Sequence, residues 1–291
     1  MSLLVRNAID REITEITAEP APVPSLRATL RTLVAHRFLL RQLSLREFLG
    51  VYKGSFLGAL WSWLYPLILL AVYAFIFSRV FKMRWGLTPK ENLGSFALIL
   101  FCGFIPFNLL SQVLQRSSSI IVQNTNLVSK VVFPLDLLPV SVVVAALLNA
   151  GVATIVLLLG ELVVMRSVPV EALYLIPLAL IVALLALGIA YFLAAMGVFV
   201  RDVANLVPVV MQMLFFMTPI TYPLEAIPEK YRVFFLLNPL APIVIDWRNV
   251  VLSGHAPHWR WLGVLFVGAL VVLFCGHFLF HRTRRAFTEV L

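Results

Sequence analysis

The sequence has little of what a soluble enzyme or a nucleotide-binding protein needs. Only 13% of its residues are charged, with 14 Asp and Glu against 23 Lys and Arg. It contains no Gly-x-x-x-x-Gly-Lys-Ser/Thr loop, no Gly-x-Ser-x-Gly turn and no His-Glu-x-x-His pair. These absences exclude a phosphate-loop nucleotide site, a serine hydrolase elbow and a common zinc protease site. We therefore expect no catalytic residue and no ATPase site in this chain.

Cysteine and histidine are also scarce. Cys102 and Cys275 both lie in apolar runs, which predicts neither a disulfide framework nor a metal site. Of the five histidines, His255 and His258 are separated only by Ala-Pro, a spacing more typical of a polar turn than of a metal site. We expect no metal and no cofactor held by this chain.

Long apolar runs are what the sequence has in abundance. Its residues are 61% hydrophobic and its mean hydropathy is +0.97, which indicates a protein that lies in lipid. A run of about 20 apolar residues crosses a bilayer as a helix. The runs are continuous rather than alternating, which favours helices over barrel strands. The predicted fold is an all-α membrane protein with six transmembrane helices, at about 56–80, 95–115, 137–165, 171–200, 203–222 and 260–280.

The remaining segments complete the predicted organisation. Residues 1–25 are a tail, and residues 26–50 mix leucines with arginines as in an amphipathic helix lying in the membrane interface. The connections at 116–136 and 223–259 are longer than a turn requires. With the N-terminus inside, 14 basic residues lie on the inner side against nine outside, so both termini are predicted to be cytoplasmic. The net charge of +9 is assigned to contacts with membrane lipids rather than to a nucleic-acid partner.

Ionisable residues within the predicted spans are few. Asp136 and Glu161 both lie near span ends, where we expect carboxylates in interfacial water, and only Asn149 lies near mid-membrane. Ion-coupled transporters place such groups deeper in the bilayer. The sequence therefore gives no support for ion coupling.

Aromatic residues are concentrated in the first and fifth predicted spans. Tryptophans near span ends are typical of an interfacial belt, whereas aromatic faces along a pathway suit the C–H faces of sugar rings. Packing and a glycan pathway both remain open. The pathway candidates are Trp61, Trp63, Tyr65, Tyr73, Phe215, Phe216 and Tyr222.

Three stretches carry a resemblance to a known family. They are the basic entry to the first span at 46–66 (Arg-x6-Lys-Gly-Ser-Phe-Leu-Gly-Ala-Leu-Trp-Ser-Trp-Leu-Tyr-Pro), the connection at 124–134 (Asn-Thr-Asn-Leu-Val-Ser-Lys-Val-Val-Phe-Pro), and the series of proline motifs from 201 to 242. In their order and spacing they resemble the membrane subunit of bacterial polysaccharide ABC exporters, the type-2 branch that moves O-antigen, capsule or teichoic acid.

The resemblance implies a homodimer in the cell inner membrane, working with two copies of a separate ABC ATPase that holds ATP and Mg. Its cargo would be a lipid-linked polysaccharide, with O-antigen as the first choice. Re-entrant periplasmic gate helices would lie in 223–259. Arg46 and Lys53 would face the lipid pyrophosphate. Segment 116–136 would couple to the ATPase through Asn124, Asn126, Leu127, Val128, Lys130, Phe133 and Pro134.

Two other functions stay open at this point. A type-2 exporter of drugs or other hydrophobic small molecules would share the architecture and differ in cargo. A membrane-embedded glycosyl- or lipid-transferase would need a set of carboxylates at the interface. Six of the 14 acidic residues precede Gly94, which counts against that set.

Overall fold

The computed structural model describes residues 25–50, 56, 58–76, 93–129 and 133–291. Lys53, Lys130 and most of the predicted tail lie outside these residues, as do the side chains of Tyr73 and Val128. The described part contains no strand, which confirms the all-α prediction there. Its helices are α1 Leu26–Ala35, α2 Arg37–Gly50, α3 Trp61–Phe75, α4 Leu93–Ser117, α5 Ile120–Gln123, α6 Thr125–Ser129, α7 Leu137–Met165, α8 Leu175–Phe199, α9 Val203–Phe216, α10 Glu229–Leu236, α11 Leu240–Leu252, α12 Trp259–Thr283 and α13 Phe287–Val290.

Four of the described helices are long and apolar enough to cross a membrane: α4, α7, α8 and α12. The pair α10 and α11 passes the same test together but is bent by 95° at its break. Helix α9 is shorter and ends at Phe216, six residues before the predicted end of span five. Thr218 precedes Pro219, and a residue before proline disfavours helical geometry. The chain is a multi-pass membrane protein, and the count of six spans stays a prediction.

The predicted interfacial helix at 26–50 is two helices. Ser25 caps α1 by accepting a hydrogen bond from the Ala28 amide, and His36 is the C-cap residue after Ala35. The His36 amide and its ring Nδ1 both bond the Thr32 carbonyl, which uses the acceptor that the helix end leaves free. Helix α2 then packs along α7. Glu47, near the end of α2, pairs with Arg116, near the end of α4.

Helices α8 and α12 pack closely along each other. A Cβ atom on Gly276 would lie 2.0 Å from the Gly188 carbonyl oxygen, so the two backbones meet where neither residue carries a side chain. Small residues allow this close approach between helices in lipid. Helix α4 lies at the centre of the protein, because α3, α7, α8, α9 and α11 all pack on it.

Helices α10 and α11 form a bent pair, which we call the hairpin. Asn238 sits at the bend, where its amide donates to Thr218 Oγ1 at 2.7 Å and its oxygen accepts from the Leu240 amide at 3.0 Å. The buried Arg248 of α11 donates to the carbonyl oxygens of Ile99, Pro219 and Ile220, at 3.1, 2.6 and 2.6 Å. These bonds fix the hairpin to α4 and to the turn after α9.

Candidate functional site

A polar cavity of about 810 Å³ lies between α2, α4, α5 and α7. One side is built by Gln112, Gln115, Arg116 and Ser119, which are spaced by three and four residues and so share one face of the chain at the end of α4. This stripe was the sequence signal for the cavity, and our sequence analysis missed it. The lining residues are Arg46, Glu47, Gly50, Gln112, Gln115, Arg116, Ser119, Gln123, Asn124, Val142, Ala145, Ala146 and Asn149.

A two-point ion pair joins α2 to α4 at the mouth of this cavity. Arg116 Nε lies 2.6 Å from Glu47 Oε2, and Arg116 Nη2 lies 3.2 Å from Glu47 Oε1. The Glu47 side chain is only 9% exposed, and Arg46 lies 3.5 Å from the same carboxylate. A carboxylate removed this far from water requires such partners, and a guanidinium fork matches its two oxygens.

The same two arginines reach the turn between α5 and α6. Arg46 Nη2 donates to Asn124 Oδ1 at 3.0 Å, and Arg116 Nη1 donates to Gln123 Oε1. The Asn124 amide in turn donates to the Ile120 carbonyl at 2.8 Å, which fixes its orientation. Asn124, predicted for coupling, and Arg46, predicted for headgroup binding, are therefore direct neighbours. The turn is therefore bonded to both α2 and α4.

One polar pair lies far along α7, whose other cavity-lining residues are Val142, Ala145 and Ala146. Asn149 Nδ2 donates to Gln112 Oε1 at 3.0 Å. Asn149 lies twelve residues after the start of α7. At 1.5 Å per residue, Asn149 lies roughly 18 Å from the start of the helix. Amide groups at that depth, with arginines at the mouth, suit a ligand that carries hydroxyl groups and negative charge.

The predicted coupling residues fall into two groups. Asn126 is exposed and Leu127 is half-buried, whereas Phe133 is 8% exposed and Pro134 is half-buried. The Phe133 carbonyl also accepts a hydrogen bond from Arg284 at 3.1 Å. The Phe133 ring thus packs inside its own chain, because the segment turns inward to begin α7. It is not placed on the surface as a docking anchor would be.

The predicted aromatic residues form two separate groups. Phe215 stacks edge-on against Phe107 at 5.3 Å, while the adjacent Phe216 is 61% exposed and its carbonyl accepts from the Tyr222 hydroxyl. On α3, Trp63 and Tyr65 are exposed and Trp61 is half-buried. Helix α3 packs on α4 and α7, whereas α9 packs on α4 and α8. None of these side chains is among the described residues that line the polar cavity.

The structure corrects the expectation that Asp136 and Glu161 lie in interfacial water. Asp136 is 4% exposed and pairs with His281 at 2.8 Å, and Glu161 is 2% exposed. The Glu161 Oε2 atom has no hydrogen-bond partner among the described residues. The helices packed around the ends of α7 cover both carboxylates, which a sequence pattern along one helix cannot reveal.

His255 and His258 do not converge on a shared site. His258 Nδ1 instead lies 2.6 Å from Asp246 Oδ1, and the His258 amide donates to Asp246 Oδ2 at 3.2 Å. Asp246 therefore caps the start of α12, which agrees with a structural turn.

Comparisons with known proteins agree with this architecture. Residues 39–251 match the model of the ABC-2 type transporter family. The chain is 30% identical to the O-antigen export system permease protein RfbA of Myxococcus xanthus, over 89% of this chain and 98% of that protein. It is 27% identical to the protein of the same name from Klebsiella pneumoniae, over 82% and 90%. It is 30% identical to the polysialic acid transport protein KpsM of Escherichia coli, over 83% and 92%. With most of its helices inside the matched segment, the chain belongs to the ABC-2 type transporter family.

Proposed function

We propose that this chain is the membrane-spanning subunit of an ATP-driven exporter of a lipid-linked polysaccharide. It moves the polymer, with O-antigen as the first choice, from the cytoplasmic to the outer face of the cell inner membrane. Support comes from relatives that are named for O-antigen export or polysialic acid transport and that align over most of both chains. A polar cavity inside an otherwise apolar bundle fits a hydrophilic cargo.

The assembly consists of two copies of this chain and two copies of a separate ABC ATPase, which binds ATP and Mg. Helices α3, α4, α7, α8, α9 and α12 are the six spans, with both termini cytoplasmic and the hairpin acting as the outer gate. Exposed apolar residues on α9 recur at helical spacing and support a dimer seam along the first and fifth spans. They are Leu206, Val209, Val210, Met213 and Phe216.

Arg46 and Arg116 bond Glu47, Gln123 and Asn124, and we call this set of contacts the Arg116 network. It is the observation that supports the coupling mechanism. The ATPase pushes on the exposed side of α6, at Asn126 and Leu127, with Val128 and Lys130 following along the same segment. Because Arg46 and Arg116 bond the preceding turn, the push reaches both α2 and α4. Phe133 and Pro134 anchor the far end of the segment rather than contact the ATPase.

The cavity mouth is the entry site for the lipid-linked end of the glycan. Arg46 remains half-exposed and, with Lys53, attracts the pyrophosphate from the cytoplasmic leaflet. The amides at Gln112 and Asn149 bind the first sugar hydroxyls in place of water. The exposed aromatic faces of α3 and α9 then line the route of the polymer between the two copies.

A charge exchange tests the coupling network. Glu47→Arg and Arg116→Glu should each lower surface polysaccharide at least tenfold in a bacterium whose own copy of the gene is deleted. The double variant restores the opposite-charge pair, so we expect it to recover a large part of the export. Arg37→Glu is the matched control, because Arg37 is exposed on the same helix as Glu47 and is not among the described residues that line the cavity. Each variant is checked for co-purification with the ATPase.

Three outcomes would contradict the proposal. Full export by both single variants would show that the Arg116 network is not needed for coupling to the ATPase. Stimulation of the purified complex's ATPase activity by hydrophobic dyes, but not by lipid-linked glycan, would assign the chain to a drug exporter. Sugar or lipid transfer by the chain without any ATPase would make it a transferase.

A further inference from the structure

A second polar cluster lies outside the cavity, where α1, α7 and α12 meet. It contains Asp136, directly before α7, and two histidines of α12, His277 and His281. The histidines are four residues apart and so lie on one face of the helix. One donor atom from each of the three side chains lies within 4.8 Å of the others. All three side chains are nearly inaccessible to solvent.

We propose that Asp136, His277 and His281 bind a divalent transition-metal ion, with Zn²⁺ as the best match. Two imidazoles and one carboxylate are a ligand set that zinc accepts, with bond lengths of about 2.0–2.2 Å. Tetrahedral ligands at such bond lengths are about 3.3 Å apart. The three observed donors, which lie within 4.8 Å of one another, would have to draw closer around the ion. His281 Nε2 and Asp136 Oδ1 are already 2.8 Å apart.

The surroundings of the cluster suit a metal site in two further ways. Thr29 Oγ1 of α1 lies 2.8 Å from His277 Nε2, the kind of outer partner that orients a ligating histidine. A cavity of about 370 Å³, lined by Asp136 and His281, adjoins the cluster and gives an ion a path of entry. Water from this cavity would fill the fourth coordination position.

Arg284 lines the same cavity, and its positive charge opposes a cation there. Its Nη2 atom donates to the Phe133 carbonyl at 3.1 Å, so part of the guanidinium is held away from the carboxylate. Aspartate and neutral histidines bring a single negative charge to a doubly charged ion. The nearby arginine therefore lowers the affinity of the site without removing its ligands.

The position of the cluster gives the ion a structural role beyond the proposed transport function. Asp136 ends the segment 116–136, and the two histidines lie in the last two turns of α12. A bound ion would fix the base of that segment to α12, and through Thr29 to α1. The proposal replaces the sequence-based expectation that the chain holds no metal, since the three ligands come from distant parts of the chain.

Metal binding is measured on the purified full chain in detergent, carrying an affinity tag without histidine. After treatment with a chelator, titration with ZnCl₂ should give one ion per chain by calorimetry and by elemental analysis. Asp136→Asn keeps an oxygen that accepts from His281 and should weaken binding at least tenfold, as should His281→Gln. His258→Gln is the matched control, because His258 forms a similar pair with Asp246 at 2.6 Å without a second histidine.

Wild-type protein that binds no stoichiometric zinc, or zinc binding unchanged in Asp136→Asn and His281→Gln, would leave the cluster as a hydrogen-bonded structural contact. If either variant fails to fold, Co²⁺ replaces the variant test on the wild-type chain. Visible absorption bands of a tetrahedral cobalt site support the proposal, and the spectrum of hydrated Co²⁺ overturns it.

Discussion

Two arginines form hydrogen bonds of different kinds near the two ends of α4. Arg248, on the hairpin, is buried and donates to three backbone carbonyls from α4 and from the turn after α9. Arg116, at the end of α4, is about one-third exposed and bonds two side chains, Glu47 and Gln123, on two other helices. The first arginine bonds backbone carbonyls, and the second bonds side chains beside the cavity.

The difference indicates which end can change its contacts. If Arg248 moves, it leaves carbonyl oxygens and its own charge unsatisfied in an apolar region, which costs several kcal/mol. If Arg116 moves, Glu47 keeps Arg46 at 3.5 Å and borders the cavity, so the cost is smaller than at Arg248. The end beside α5 and α6 is thus suited to rearrangement, and the base of the hairpin is suited to act as a fixed point.

The largest effect is expected from Arg248→Met. Each buried carbonyl that loses its partner costs about 1–3 kcal/mol, so the loss of three bonds should remove about 3 kcal/mol or more. Thermal unfolding in detergent should show a large drop in Tm, with less monodisperse protein. Arg232→Met is the control, since Arg232 also donates to carbonyls, of Ile227 and Glu225, in the exposed turn before α10. An equal drop in Tm in both variants would mean that the burial of Arg248 does not account for its contribution to stability.

Much of the fold could be predicted from the sequence because lipid imposes long apolar runs. Helix α7 has the bounds 137–165 that the apolar pattern gave. The end of α9 differed, because the pattern stays apolar through Pro219 while the backbone turns at Thr218. Hydropathy marks where lipid or core lies and does not register where a helix must stop.

The sites were harder to predict than the spans. Asn124 and Arg46 were both chosen from motif resemblance, yet their contact joins residues 78 positions apart. The Glu47–Arg116 pair spans 69 positions, and the Asp136–His281 pair spans 145. Pairing at such separations follows from helix packing, which one sequence does not reveal. The polar stripe on α4 was the one local signal.

A smaller effect is expected from Arg116→Met, the same chemical change at the other end. Glu47 keeps Arg46 at 3.5 Å and gains water from the cavity, so the loss should be about 1–2 kcal/mol. Tm should fall by less than in Arg248→Met, while export falls strongly. A Tm loss as large as that of Arg248→Met would break the contrast between a fixed end and an exchangeable end.

The smallest effect is expected from Tyr222→Phe, which tests whether the turn beside the hairpin base is as rigid as Arg248 suggests. Tyr222 donates to the Phe216 carbonyl, and its ring lies 6.2 Å from Phe235 of α10. Phenylalanine keeps the ring contact and removes one partly exposed hydrogen bond, which is worth about 0.5–1 kcal/mol. A small drop in Tm with unchanged export would confine rigidity to the Arg248 anchor. A drop approaching that of Arg248→Met would extend the fixed region to the whole turn after α9.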